Sequence, residues 1–363
     1  MVLRRIPARF FGKILKLNPI VTNRTSAKHP ALPRRIVPVP LAAALAASAW
    51  CAAAVADPPR AASVYSRRPA APEAIPAGVP GGLSAEQAAA GQTRSEEATV
   101  QAERILASAL TKFGQDESFS ARLRQKARIG DRVLVGAGRY VQSGIGEDQR
   151  YRFESALTCD TETFELIEVC DGIFAWTYRH YGTEAPQLER LDVRRIRDRL
   201  VELRAADPAA ASPYLGGLQR SLWTARQWYR FESAAAAEIE GKAVWVVEGR
   251  WTPDSLAGVL PHLVESSRRP GGITAAELPE GVPWGVRIAI GRSDLVPYRI
   301  EWLAIPGRRP VAATAPEPIA VLELHDVQIN GPIDATAFVY KPATDGLIDL
   351  TDNHVSTLHL MRP

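Results

Sequence analysis

Residues 164–181 read FELIEVCDGIFAWTYRHY, and how they fold decides the architecture of the chain. Two runs rich in β-branched and aromatic residues, 164–170 and 173–181, flank Asp171-Gly172, a dipeptide suited to a tight hairpin turn of the primed type. The stretch is therefore expected to be a β-hairpin. Working outward, the pattern predicts strands over 119–129, 132–142, 149–158 and 188–196 around it, and over 228–239, 243–251, 286–291, 298–305 and 319–328 beyond it. The first of these alternates cleanly, with Arg122, Arg124, Lys126 and Arg128 on one face and Leu123, Gln125, Ala127 and Ile129 on the other. Such a row of bases reads as a solvated outer face. Gly136 and Gly138 inside the next strand read as a bend.

Helical periodicity frames the strands. Val100, Ile105, Leu106, Ala109, Leu110 and Phe113 recur at helical spacing behind Ser95, with Gly114 as the stop. Shorter helices are expected over 197–205, 214–226 and 255–264, interrupting the run of strands. The fold class expected is α+β: an open, strongly curved antiparallel half-barrel of ten or eleven strands with helices over its concave face. Several strands carry bulky apolar residues on both faces, among them Ile173, Phe174 and Trp176; Val244 to Val247; and Tyr298, Ile300, Trp302 and Leu303. A sheet wet on one side alternates more cleanly. Either layers cover both faces, or one face lines an apolar cavity, for which Phe174, Trp176, Tyr178, Trp245, Tyr298 and Trp302 are the candidate lining.

The chain has 363 residues, with 44 Lys and Arg against 40 Asp and Glu. That balance hides an asymmetry, because residues 1–56 hold nine bases and no acid, and without them acids outnumber bases by five. An acidic body lacking a basic cluster interleaved with aromatics does not suit a phosphate backbone, which argues against nucleic acid. Arg34 and Arg35, the apolar run 36–51 and Ala54-Val55-Ala56 read as an export signal cut after Ala56, which makes the periplasm the expected location. The alternative, an uncleaved membrane anchor, has to accommodate Pro38 and Pro40 in a run short for a ~30 Å hydrocarbon layer. Residues 57–94, with six prolines, are expected to be a disordered tether, 95–350 the folded domain and 351–363 a C-terminal tail. Cys159 and Cys170 fall at opposite ends of neighbouring strands and are expected to be buried thiols rather than a disulfide.

Catalytic motifs are missing. The sequence contains no HExxH, no GxSxG, no P-loop and no CxxC, and His180, His262, His325, His354 and His359 are not spaced to share a metal. No cofactor is implied, and enzymatic chemistry would require two carboxylates brought together by folding.

Three local patterns, in order, resemble the periplasmic lipoprotein-carrier family. They are a helix followed by Phe119-Ser120-Ala121 and Gln125 with the Gly136/Gly138 strand next; Asp171-Gly172-Ile173-Phe174-Ala175-Trp176-Thr177-Tyr178; and the closing segment Asn330 to Pro342. The resemblance spans about residues 95 to 345. It implies an open barrel whose hollow takes acyl chains without catalysis, and an arginine on the strand before the hairpin that holds the covering helices closed. Arg150 and Arg152 are the candidates for that role, although the proline that follows the arginine in the family is missing here. Related folds serve as envelope-stress sensors, so the alternative expectation is an interaction module with a packed interior and an envelope protein as partner.

Overall fold

The computed structural model describes residues 85–130, 132–202, 216–269, 272–274, 277–279, 281–305, 317–343 and 345–358. The expected export signal and His359 lie outside them. A long helix α1 (Ala85–Gln115) leads into β1 (Ser118–Ile129), β2 (Arg132–Ser143), β3 (Arg150–Cys159), β4 (Glu162–Cys170), β5 (Phe174–Tyr181) and β6 (Gln187–Asp192). Helices α2 (Val193–Glu202) and α3 (Gly217–Trp228) follow, then β7 (Tyr229–Ile239) and β8 (Lys242–Trp251). The short helices α4 (Pro253–Val259) and α5 (Val264–Ser267) precede β9 (Gly285–Gly291), β10 (Pro297–Leu303) and β11 (Pro318–Ile329). The described chain closes with β12 (Leu347–Asp349) and α6 (Thr351–Leu358).

All the strands join one open, curved sheet in the order β12-β6-β5-β4-β3-β2-β1-β11-β10-β9-β8-β7. Every pairing is antiparallel except β12 with β6. This is the expected α+β half-barrel with one strand more than foreseen. The extra strand has only three residues, too few for a periodic signal. Three other boundaries differ from expectation. Helix α1 begins ten residues before Ser95, inside the expected tether, where Ala85, Ala88, Ala89 and Ala90 favour helix and no proline intervenes. Residues 193–196, expected as strand, open α2, because Asp192 accepts a hydrogen bond from the Arg195 N–H at 3.1 Å and caps the helix. Residues 351–358 are helical rather than tail: Thr351 is buried and its Oγ1 accepts from Asp192 N–H at 2.8 Å.

The β4–β5 turn also departs from the primed geometry. Of Asp171 and Gly172, only Gly172 takes a positive φ, 92°, whereas a type I′ turn needs two such residues. The Asp171 carboxylate instead accepts from Ile173 and Phe174 N–H at 2.8 and 2.7 Å, closing a three-residue loop.

Registers assign the faces. Leu123, Tyr140, Phe153, Leu166, Ile288, Ile300 and Leu324 follow one another across paired strands on the concave face, and are buried with Leu106, Phe113, Leu218 and Leu222 of α1 and α3. Each fully buried side chain of this size contributes roughly 1.5–3 kcal/mol of hydrophobic stabilisation. The four β1 bases lie outward as expected and meet acids of β11, because Arg124 pairs directly with Glu323 in the register. A ladder continues across the convex face from Glu323 to Arg299, Glu301, Arg287, Glu248 and Arg250, with distances of 2.6 to 3.6 Å. Between β8 and β9, Leu256, Leu263, Leu278 and Val282 form a small separate core with Ile305, and Trp251 donates its indole N–H to Pro283 O at 2.6 Å.

Candidate functional site

The concave face has two regions. Under α1 and α3 the core is continuous, and a buried polar clamp fixes α3 to it. Glu168 of β4 accepts from Arg220 Nη2 at 2.5 Å and from Gly217 N–H at 2.9 Å, so one carboxylate meets both the helix's first turn and a side chain one turn further on. Gly216 and Gly217 enter the helix with φ of 142° and 70°; a Cβ at Gly216 would fall 2.1 Å from the Tyr151 hydroxyl, so only glycine lets α3 come this close. Tyr140 donates to Gln142 Oε1 at 2.8 Å, and Gln142 Nε2 donates to Phe113 O at 3.1 Å, tying the end of α1 to the same floor. Burial, and then the Glu168 charge, push both Tyr140 and Tyr151 well above the usual phenol range. His354 of α6 is held down at about 4 by burial and then by the Arg220 charge.

Beyond α3 the floor changes character. Gly138 pairs with Leu123 and Ser155, and Gly136 with Gln125 and Leu157, so strand β2 contributes no side chain to two consecutive concave positions. A Cβ at either glycine would lie 2.0 Å from a carbonyl oxygen of β3, the close backbone approach that makes the expected bend. Gln125 accepts a short hydrogen bond from Ser155 and both glycines remain half-buried. Alongside lies a second apolar cluster of Ala127, Leu134, Leu157, Cys159, Phe164 and Ala320, against which Trp302 and Tyr181 pack while only partly buried.

The six aromatics expected to line a hollow are divided by the sheet. Trp245 and Trp302 stand on the concave face by register with Ile290 and Ala320. Phe174, Trp176 and Tyr178 project from the convex face, because their neighbours Ala175 and Thr177 pair with Cys170 and Glu168, which point inward. There the closing segment meets Trp176, whose ring centroid is 6.2 Å from that of Tyr340, and Arg190 of β6 lies 4.8 Å from the Phe174 ring centroid. Tyr298 sits at a bulge that begins β10 and donates to Asp294 at 2.6 Å. Arg150 and Arg152 also lie outward. Arg152 reaches Ala337 O and Val339 O at 3.3 and 3.5 Å, so it holds the closing segment, and the arginine that holds a covering helix is Arg220, carried by the helix itself. The missed pair had one sequence signal, an acid in the inward register of an apolar strand, Leu166-Ile167-Glu168-Val169-Cys170.

Each oxygen of the Glu168 carboxylate accepts one donor, from Arg220 and from Gly217 N–H, and burial pushes the Cys170 thiol up to about 11. Cys159 and Cys170 are both free and buried, as expected. Among the described residues, no three His, Cys, Asp or Glu side chains gather as a metal site, and no helix is long and apolar enough to cross a membrane.

No family model matches the chain, and no curated protein matches it. Solved structures do align with it. The MucA/MucB complex of Pseudomonas aeruginosa gives a TM-score of 0.32 at 9% identity, covering 65% of this chain and 60% of that one. The lipoprotein LppX of Mycobacterium tuberculosis gives 0.30 at 9% identity, covering 65% of this chain and 98% of that one. A domain assigned to outer-membrane lipoprotein sorting in Vibrio parahaemolyticus gives 0.27 at 11% identity, covering 65% of this chain and 97% of that one.

Proposed function

We propose that this chain is a non-catalytic, exported protein that binds or carries the acyl chains of a lipid or lipoprotein in the periplasm. The observation that carries the reading is the concave floor beyond α3, bare of side chains at Gly136 and Gly138 and walled by half-buried Trp302 and Tyr181. Each methylene removed from water there gains ~0.8 kcal/mol, so affinity needs apolar surface and room but no reactive group. Displacement of a fluorescent fatty acid tests it. Trp302→Ala is expected to weaken binding about tenfold, the equivalent of two methylenes, while Trp176→Ala on the convex face leaves it unchanged. A protein that takes up no fatty acid, or one equally affected by both substitutions, contradicts it. Export predicts that the mature protein recovered from the periplasm begins at Asp57.

A second reading, an envelope interaction or stress-sensing module, draws on the filled interface beneath α1 and α3. Capture of an envelope protein by a protein that ignores fatty acids favours that reading.

A further inference from the structure

At one rim of the half-barrel two neighbouring strands are bulged. In β10 Tyr298 interrupts the register between Pro297 and Arg299, and in β11 Asp326 and Val327 together face the single residue Ala121, with Asp326 at φ 51°. Bulges of this kind concentrate at barrel rims and beside binding sites, where they re-aim side chains. The β7–β8 turn reaches the same place, and a cavity of about 340 Å³ opens between them, within the size range of small-ligand sites. It shares no lining residue with the glycine floor.

The lining carries three bases, Arg124, Lys242 and Arg299, against three acids, Glu240, Glu323 and Asp326, but they are unevenly paired. Glu323 is held by Arg124 at 3.5 Å and Arg299 at 3.3 Å, and Asp326 is shared by Arg122 and His325 at 3.6 Å each. Lys242 is different: its ammonium lies 4.7 Å from the Tyr298 ring centroid and has no carboxylate partner among the described residues. Arg124 is shared between Glu323 and Glu240, the latter 3.9 Å away on a side chain that is 71% exposed. Ile239, Leu324 and Val327 supply apolar wall beside these two bases. We infer that the rim cavity binds a monoanionic group with an apolar substituent, a phosphodiester or carboxylate, with Lys242 and Arg124 as its cationic contacts. Lys242, the lining base that no carboxylate meets among the described residues, sets the charge of the ligand, and the half-apolar wall sets its amphiphilic character.

Calorimetric titration of the intact protein with glycerophosphoglycerol and with dihexanoylphosphatidylglycerol below its micelle concentration tests the site. A charge-assisted contact sets the expected loss in Lys242→Ala at about tenfold. Lys242→Arg is expected to retain binding, and Glu240→Gln to tighten it by removing the competing acid. Trp302→Ala, which addresses the acyl floor, leaves this binding unchanged, so failure here and failure of the acyl-binding reading are distinguishable. Equal affinity for both ligands identifies the free diester as the source; preference for the dihexanoyl form identifies a lipid headgroup. Absence of binding to either at millimolar concentration, or a loss in Lys242→Ala below about threefold, overturns the inference.

Discussion

Glu168 and Arg220 meet where water scarcely reaches them, with side chains 4% and 5% exposed. Removing one partner strands the other, so Glu168→Gln or Arg220→Met is expected to cost about 3–5 kcal/mol in urea unfolding, whereas Glu168→Leu with Arg220→Met together is expected to cost far less. Equal losses in the single and double variants would contradict this account of the clamp. His354 adds a pH dependence whose sign follows from its lowered pKa. The unfolded imidazole gains its proton near 6.5 and the folded one near 4, so the contribution is complete above 6.5 and is lost as pH falls through 4. Unfolding curves across that window are expected to lose about 3 kcal/mol, and His354→Gln to flatten the slope. At this scale the sequence was only partly legible. Burial of Phe119, Tyr140 and Phe153 follows from alternation, but the meeting of Glu168 with Arg220, 52 positions apart, depends on tertiary packing that no local pattern encodes.

Strand β2 shows how an element acquires its curvature. Alanine at Gly136 or Gly138 would place a methyl 2.0 Å from a β3 carbonyl, so each substitution forces the two strands apart. Each is expected to cost at least about 1–3 kcal/mol by denaturant titration, more than an ordinary glycine-to-alanine change in a strand. Wild-type stability in both variants would show that the bend is not built from these glycines. The start of α2 makes the opposite point about legibility. Leu188, Leu191, Val193 and Ile196 were expected as strand, yet Asp192 offered a cap three residues before Arg195. Asp192→Ala is expected to destabilise the protein by about 1 kcal/mol through that lost cap. Strand existence was readable because strands of six to twelve residues show their period; β12 was not, because its three residues join β6 through Arg190–Asp349 and backbone pairing.

Across the whole molecule, one sheet separates two kinds of surface. The convex side spends its charge on a cross-strand ladder of arginines and acids, and on it Trp176 packs against Tyr340 of the closing segment while Phe174 lies under Arg190. The concave side carries the helices, the clamp and, beyond them, the glycine floor. Bulky residues on both faces of a strand were visible in the sequence; which face belonged to which layer was not, because a period of two gives alternation without direction. Photocrosslinking with a diazirine-bearing fatty acid, mapped by peptide mass spectrometry, distinguishes the faces directly. Labels on β2 around residues 136–138 and on Trp302 are the predicted result; labelling confined to Phe174, Trp176 and Tyr178, or none above a protein-free lipid control, would contradict acyl binding on the concave face.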